Sequence, residues 1–260
     1  MNGFKKIDMN LDKTIIKLDK ISKIYKLLID KEEEFYAIRE LSLKIKEGEK
    51  IGLMGDNGAG KTTLLKLIAG VAEPSKGKIE VKGKVVSLIN LGAGFNEELT
   101  GRENIVLNGM IHGLTKNEAL EATSDIIKFA DIGRFIDAPF YVYSSGMRFR
   151  LALSVALATK PQIILMDEVF MAGDIDFQIK TLRKIEEVTK DRKVTLIMAS
   201  HYPLILRKYC DRFIFLEDGR MVDSSIKNVL SLTKKWNEYF SDIPKIEIEE
   251  KMADAAYYQR

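Results

Sequence analysis

The sequence lacks the features that mark several large classes of protein. Its single cysteine, Cys210, permits no internal disulfide, and no cysteine or histidine spacing is typical of a zinc site. No apolar run approaches the ~18 residues that a membrane-spanning helix needs. The 41 basic and 38 acidic residues alternate along the chain, so no positive stripe points to nucleic acid. These absences exclude a disulfide-stapled secreted scaffold and a chain that crosses a bilayer by itself, and they predict no nucleic-acid partner.

What remains is the composition of an ordinary folded chain. Its 260 residues, 46% of them apolar, are enough for one large domain or two small ones. The first residues, MNGFKKIDMNLDKT, carry a charge every few positions and lack the apolar block of a secretory signal, so we expect the chain to stay in the cytoplasm. We expect residues 1–13 to form a flexible N-terminus and residues 242–260 a charged tail.

Alternating and continuous apolar segments predict strands along the chain. Residues 15–25 and 41–45 alternate as half-buried strands do, and a polar insertion, KLLIDKEEEFY, separates them. Short apolar runs at 51–54, 163–166 and 194–199 are typical of parallel strands buried on both faces. Further strands are predicted at 78–81 and 85–89, and a hairpin at 213–222.

Helical periods dominate the middle of the chain, over about residues 96–160. Thr100 precedes Glu103 by three positions, which is the pattern of a capping box at the start of a helix. Because strands precede and follow this segment, we interpret it as an inserted helical subdomain. Two further helices are predicted at 60–69 and 176–190.

The strongest functional signal is a glycine-rich segment between an apolar strand and a helix. Residues 55–62 read GDNGAGKT, which fits the phosphate-loop pattern in its required context. Glycines let backbone N–H groups curl round an anion, and the helix start adds partial positive charge. An ordinary glycine-rich turn gives no reason for a lysine and a threonine at these places. The predicted phosphate-binding residues are Gly55, Asn57, Gly58, Ala59, Gly60, Lys61, Thr62 and Thr63, with the Thr62 hydroxyl on Mg²⁺.

Two acids at the end of another apolar strand narrow the choice among phosphate-loop enzymes. Residues 163–168 read IILMDE, and acids at the end of a buried strand are costly unless they face a cation or a reactive water. We expect Asp167 to hold the Mg²⁺ shell and Glu168 to polarise the attacking water as general base. A plain surface turn is the alternative interpretation. It is weakened because Lys61 and Asp167 follow separate strands, as a site at a sheet edge requires.

A third element lies between the first two. Residues 143–148 read YSSGMR and lead straight into an apolar helix, so Ser144 and Gly146 form a second candidate anion cradle, although an N-capped core helix would look similar. With this segment shortly before the Asp-Glu strand, the chain resembles the ATP-binding subunits of ABC transporters. The resemblance covers about residues 15–223.

The resemblance implies an α/β phosphate-loop fold over residues 14–241, an ABC-type nucleotide-binding domain with an antiparallel β portion and an inserted helical subdomain. It implies ATP and Mg²⁺ as ligands. In the family the signature segment acts on the nucleotide held by the other subunit, which implies a homodimer. The family signature reads Leu-Ser-Gly-Gly-Gln, whereas this chain has Tyr, Ser and Met at its first, third and fifth places. Ser144 and Gly146 are retained for contact with the γ-phosphate.

The family also implies roles for a histidine and an acid. His201 follows the strand at 194–199, where the family places a residue that senses the γ-phosphate, although position alone would favour a structural histidine. Asp174 matches the loop through which the two subunits communicate. His112 lies in no such family motif, so we interpret it as a surface residue.

Two family positions leave alternatives open. An aromatic residue upstream of the phosphate loop usually stacks on adenine, and Tyr25 in Ser-Lys-Ile-Tyr matches that place, with Tyr36 as the second candidate. Either tyrosine could instead be core packing. The family's glutamine after the strand at 85–89 is replaced here by Asn90 or Leu91.

The departures together point to a subfamily. Residues 143–147, the Leu-Gly-Ala-Gly-Phe of 91–95 before Leu-Thr-Gly-Arg-Glu-Asn, and the Asp-Glu-Val of 167–169 followed by Gly-Asp look like the exporters of lipid-linked polysaccharides, namely O-antigen, capsule and teichoic acid. This resemblance implies an ATPase on the cytoplasmic face of the plasma membrane, with a separate integral membrane permease as partner and a lipid-linked polysaccharide as cargo. We expect the permease to dock near residues 95–102.

Three other functions remain as alternatives. The chain could serve another ABC exporter or importer, or a soluble ABC ATPase that acts on ribosomes or DNA, although it has neither a tandem cassette nor a long coiled-coil insertion. It could also be a binding module that uses ATP only to set its dimer state. The presence of Glu168 and His201 argues against that last alternative.

Overall fold

The chain folds into two β-sheets and a group of helices, as a computed structural model shows. The structure describes residues 13–29, 31–89, 91–167, 175–190, 193–200 and 203–223, so the predicted tail and nearly all of the predicted N-terminal segment lie outside the described residues. The strands are β1 (Thr14–Ile29), β2 (Lys31–Lys46), β3 (Lys50–Met54), β4 (Lys76–Val81), β5 (Val85–Ser87), β6 (Ile163–Asp167), β7 (Thr195–Ala199), β8 (Arg212–Glu217) and β9 (Arg220–Asp223). The α-helices are α1 (Lys61–Ile68), α2 (Gly101–Ile111), α3 (Lys116–Ala130), α4 (Ser145–Ala158), α5 (Ile175–Thr189) and α6 (Pro203–Tyr209), with 3-10 helices at Gly133–Asp137 and Phe140–Val142.

The smaller sheet is antiparallel, with the strand order β2-β1-β4. The prediction of a separate polar insertion between β1 and β2 was wrong, because the insertion lengthens both strands of the hairpin. Tyr25 pairs with Phe35, and Lys26 pairs with Glu34. These four residues are exposed, so no buried face imposes an apolar alternation, and a cross-strand pair of opposite charge supports the ladder instead.

The larger sheet has the order β5-β6-β7-β3-β8-β9, in which β9 runs antiparallel to β8 and the other neighbours are parallel. The predicted runs at 51–54, 163–166 and 194–199 are confirmed as β3, β6 and β7. All five residues of β7 are buried, as the continuous apolar pattern predicts. Since the strands are parallel, the carboxyl ends of β3, β6 and β7 meet at one edge of the sheet.

Helix α1 lies between the two sheets and joins their cores. Its residues Leu64 and Leu65 are fully buried in a cluster that includes Ile38 of β2 and Ile51 of β3. At about 25 cal/mol per Å² of buried apolar surface, such side chains contribute most of the stabilisation of this region. This packing fixes the start of α1, and therefore the loop before it, relative to both sheets.

The helices α2, α3 and α4 pack against one another around a third apolar core that includes Ile105, Ile126 and Leu151. The predicted capping box is confirmed: the Thr100 hydroxyl accepts a hydrogen bond from the Glu103 N–H at 3.2 Å, and the Glu103 carboxylate accepts one from the Thr100 N–H at 2.8 Å. Each helix in the described part of the chain is too short or too polar to span a membrane.

A buried asparagine fixes the loop that leads into α2. The Asn104 side chain is fully buried. Its amide donates to the carbonyl oxygens of Asn96, Leu99 and Thr100 at 2.9, 3.1 and 3.1 Å, and its oxygen accepts from the Asn96 N–H at 2.8 Å. Without this side chain, the backbone groups of Asn96, Leu99 and Thr100 would lose these partners.

We expect Asn104→Ala to lower the free energy of unfolding by roughly 2 kcal/mol or more, because a buried donor and acceptor set is left unpaired. Urea unfolding followed by far-UV circular dichroism measures the change. Asn117→Ala is the matched control, since Asn117 is exposed on α3 and its replacement should change stability by less than about 0.5 kcal/mol. Equal effects of the two substitutions would contradict the role of Asn104.

Candidate active site

The loop between β3 and α1 is pressed against the neighbouring backbone at two glycines. Gly55 has φ +145°, and a Cβ there would lie 2.3 Å from the carbonyl oxygen of Leu216. Gly60 has φ +103°, and a Cβ there would lie 2.4 Å from the carbonyl oxygen of Ala37. Because any side chain would collide with these oxygens and also be strained, only glycine permits this path of the chain.

Lys61 is held at the mouth of this loop. The residue is buried, with a relative exposure of 6%. Its ammonium donates hydrogen bonds to the carbonyl oxygens of Gly55 at 2.7 Å and Asp56 at 2.9 Å. The cap of α1 is Gly60, which offers no side-chain oxygen to the helix start. A cationic side chain beside an uncapped helix N-terminus is the arrangement that binds a phosphate group.

The predicted metal-binding pair is brought together. The Thr62 hydroxyl, in the first turn of α1, donates to the Asp167 carboxylate at the end of β6 at 2.6 Å. Thr62 is exposed and Asp167 is half-buried, so both oxygens can be reached from solvent. A hydroxyl and a carboxylate beside a phosphate loop fit Mg²⁺, which is usually held by one or two protein oxygens plus substrate phosphates and water. Within the described residues, no group of three or more His, Cys, Asp and Glu side chains forms a separate metal cage.

The sheet register explains why distant segments converge here. Leu53 of β3 and Asp167 of β6 both pair with Ala199 of β7, one from each side. The phosphate loop and the acidic strand end therefore flank the end of β7. Glu168 and His201 follow these strand ends in the chain, and with Asp174 they lie outside the described residues.

The second cradle lies at the start of α4. Ser144 is the N-cap residue, and its hydroxyl oxygen accepts a hydrogen bond from the Met147 N–H at 3.2 Å. Ser144 is exposed, and a Cβ placed on Gly146 would find its nearest heavy atom at 3.9 Å, the Ser144 hydroxyl oxygen. The cradle thus presents a capped helix start with free space above it.

Two residues to which the sequence analysis assigned no role hold this cradle. The Tyr143 ring is buried, and its hydroxyl donates to the Phe135 carbonyl oxygen at 2.5 Å. Burial raises the pKa of Tyr143, so the hydroxyl remains a donor. Arg148 forms an ion pair with Glu97, and that hydrogen bond lowers the pKa of the Glu97 carboxyl. The signal in the sequence was only that Arg148 directly follows the signature segment.

The two candidates for the adenine contact differ in their surroundings. Tyr25 is 41% exposed, with the Lys23 ammonium 5.2 Å from its ring centroid. Tyr36 is half-buried, the Arg39 guanidinium lies 4.6 Å from its ring centroid, and its hydroxyl donates to the Glu34 carboxylate at 3.2 Å. Tyr36 directly precedes Ala37, the residue against Gly60, whereas Tyr25 lies on the neighbouring strand opposite Phe35.

The structure separates the two candidates for the missing glutamine. Leu91 is half-buried and packs against the core between the larger sheet and its helices. An apolar side chain in a core cannot ligate a metal or a water. Asn90 is therefore the remaining candidate, and it lies outside the described residues.

The expectation for one other residue was wrong. His112 is half-buried and not a plain surface residue, and burial together with the positive charge of Lys84 lowers its pKa. Phe95, expected at the docking surface, stacks on Phe140 with ring centroids 4.8 Å apart and packs against the helical core. Exposed apolar side chains of the helical group include those of Ile111, Tyr141 and Val142, and docking near residues 95–102 stays a prediction.

Cys210, the single cysteine, is buried. Burial raises the pKa of its thiol to about 12, with a further contribution from the charge of Asp211. A thiol with such a pKa stays protonated, so it is a poor nucleophile and metal ligand.

Comparisons with known proteins identify the relatives of this chain. The family model described as ABC transporter matches residues 38–171. The O-antigen export system ATP-binding protein RfbB of Klebsiella pneumoniae is 42% identical over 79% of this chain and 83% of its own length. The teichoic acids export ATP-binding protein TagH of Lactococcus lactis is 35% identical over 95% of this chain and 56% of its own length.

A solved structure has the same architecture. The ATP-binding cassette MJ0796, in a dimeric post-hydrolysis state bound to ADP and Pi, aligns with a TM-score of 0.69 and 26% identity over 81% of this chain and 97% of its own. Since the family match itself runs through the phosphate loop, the signature segment and the acidic end of β6, the chain belongs to the ABC transporter family, as one of its ATP-hydrolysing subunits.

Proposed function

We propose that this chain powers the export of a lipid-linked polysaccharide, as a peripheral ATPase at the cytoplasmic face of the plasma membrane. The observation that carries the proposal is the similarity to relatives named for the export of O-antigen and of teichoic acids. The altered signature at residues 143–147 supports the same subfamily. A separate integral membrane permease would provide the path for the polymer.

ATP binding follows from the geometry of the phosphate loop. The phosphate oxygens replace the carbonyl oxygens of Gly55 and Asp56 as partners of the Lys61 ammonium. Thr62 and Asp167 hold Mg²⁺, which when bound neutralises charge on the outer phosphates. Tyr25, the more exposed tyrosine, stacks on adenine.

Hydrolysis is assigned to the acids and the histidine at the carboxyl edge of the sheet. Glu168 follows Asp167 directly and takes the proton of the attacking water as general base. His201 orients the γ-phosphate from the end of the neighbouring strand β7. Asp174 transmits the state of one site to the other copy.

A homodimer completes each site. Helix α1 packs against β2, β4, β6 and β7, whereas α4 packs against α2 and α3, so the two anion cradles belong to different parts of one chain. The open space above Ser144 and Gly146 leaves room for a nucleotide held by a second copy. ATP closes this head-to-tail dimer, hydrolysis reopens it, and the permease follows the movement.

We expect Glu168→Gln to bind ATP and dimerise but to hydrolyse at least ~100-fold more slowly, because the general base is lost while the phosphate contacts remain. Phosphate release in single-turnover experiments measures the rate. Glu121→Gln, an exposed acid on α3, is the matched control and should keep the full rate. Unchanged hydrolysis by Glu168→Gln would show that another group is the base.

We expect Asp167→Asn to weaken binding of ATP in the presence of Mg²⁺ by about tenfold or more, because a neutral amide is a poorer Mg²⁺ ligand than a carboxylate. Calorimetric titrations with and without Mg²⁺ separate the contribution of the metal from that of the phosphate loop. The affinity for metal-free ATP should stay unchanged. Asp125→Asn on the exposed face of α3 serves as control. An equal loss with and without Mg²⁺ would contradict the metal role.

The cargo is tested by the genes around this reading frame and by transport. A neighbouring gene for a six-helix membrane protein among glycosyltransferases supports polysaccharide export. A neighbouring solute-binding protein would favour import and would overturn the proposed direction. Inactivation of Glu168 should then leave the finished polymer inside the cell, as labelling of surface and internal polysaccharide can measure.

A further inference from the structure

Arg148 contacts four residues in and around the signature segment. The Arg148 guanidinium forms a two-pronged ion pair with the Glu97 carboxylate, in which Nη2 lies 2.6 Å from Oε2 and Nη1 contacts Oε1. Its Nε donates to the Tyr143 carbonyl oxygen at 3.2 Å, and its Nη2 donates to the Tyr141 carbonyl oxygen at 3.3 Å. Tyr143 directly precedes Ser144, so the arginine holds the backbone next to the cradle.

An aromatic column adds to this clamp. The guanidinium lies 4.7 Å from the ring centroid of Phe140, and Phe95 stacks on Phe140 at 4.8 Å and 22°. A planar guanidinium forms forked bonds and stacks on a ring at the same time, which the compact ammonium of lysine cannot do. The geometry therefore requires an arginine and not merely a positive charge.

Glu97 is itself held on a rigid support. The Glu97 carbonyl oxygen accepts from the Tyr141 N–H at 3.0 Å, and the Leu99 carbonyl oxygen accepts from the Phe140 N–H at 2.9 Å. Asn104 ties the same loop to α2. A shift of the loop over residues 91–99 must therefore also shift the segment that ends at Ser144.

The ion pair between Arg148 and Glu97 contributes little to the free energy of unfolding. Its role is therefore to position the backbone and not to stabilise the fold. The side chains of Arg148 and Glu97 are 34% and 51% exposed. Exposed ion pairs typically contribute less than about 1 kcal/mol. Three of the contacts of Arg148, with Phe140, Tyr141 and Tyr143, instead fall within the four residues before Ser144.

We infer that Arg148 is a positioning residue for ATP hydrolysis: with Glu97 it fixes the Ser144 cradle to the loop over residues 91–99, so that the cradle is formed when the second copy brings its nucleotide. This inference rests on the proposed head-to-tail dimer. It predicts that loss of the clamp weakens the ATP-bound dimer and not the binding of ATP to one chain.

The test uses Arg148→Lys in the full chain with Glu168→Gln. We expect the ATP-bound dimer to dissociate about tenfold more readily, since a forked, stacked contact is lost, while the dissociation constant for ATP stays within about twofold. Sedimentation velocity measures the dimer, and a fluorescent ATP analogue measures nucleotide binding at protein concentrations where the chain is monomeric. With Glu168 intact, the lowered kcat of Arg148→Lys should recover as the protein concentration rises.

The chain offers a matched control in Arg102→Lys. Arg102 also forms a forked pair in the helical group, with its Nε and Nη2 at 2.8 and 3.3 Å from the Asp137 carboxylate, and its bonds do not involve residues 141–144. Its replacement should leave both the dimer and the kcat unchanged. If Arg148→Lys fails to fold, Glu97→Gln breaks the same fork from the other side and is judged by the same measurements.

Two results would overturn the inference. One is a dimer of Arg148→Lys that is as stable as that of Arg102→Lys. The other is a parallel loss of ATP binding by the single chain, which would indicate a general structural defect. If the Glu168→Gln parent itself forms no ATP-dependent dimer, the proposed function fails and the inference fails with it, whereas a stable parent dimer confines the failure to Arg148.

Discussion

The site depends on how closely the phosphate loop packs against the backbone on both sides of it. Gly55 and Gly60 leave no room for a side chain beside the carbonyl oxygens of Leu216 and Ala37. This contact sets the start of α1, which carries Lys61 to the mouth of the loop and Thr62 to the carboxylate of Asp167. Because Lys61 and Thr62 both lie at the start of α1, a displacement of the loop would move both of them relative to Asp167 of β6.

The same chain carries a second, incomplete half of a site on its helical group. Ser144 caps a helix start that faces open space. The hydrogen bonds of Tyr143 to Phe135 and of Arg148 to Tyr143 fix its position. Burial of apolar side chains supplies most of the stability of each layer. A few polar contacts contribute little to stability but determine where the cradle lies. The proposed head-to-tail dimer would complete each of these two half-sites with the other half from a second copy.

Local patterns in the sequence predicted the phosphate loop, the acidic strand end, the capping box and most strands, because each depends on residues a few positions apart. The hairpin extension at 26–35 was missed because its sequence, KLLIDKEEEF, shows no apolar alternation. The pairing of Arg148 with Glu97 joins residues 51 positions apart, so no local sequence pattern predicts it. The stacking of Phe95 on Phe140 also joins residues far apart in the chain, so no local pattern predicts it.

The most direct measurement of the central claim is a disulfide crosslink between the two cradles. A Glu168→Gln chain with Asn57→Cys and Ser145→Cys places thiols at two exposed positions, while the native Cys210 stays buried. Oxidation with ATP present should give a covalent dimer with both bridges formed between copies, and without ATP the yield should fall to background. A bridge within one chain, or none in the presence of bound ATP, would contradict a nucleotide held between two copies.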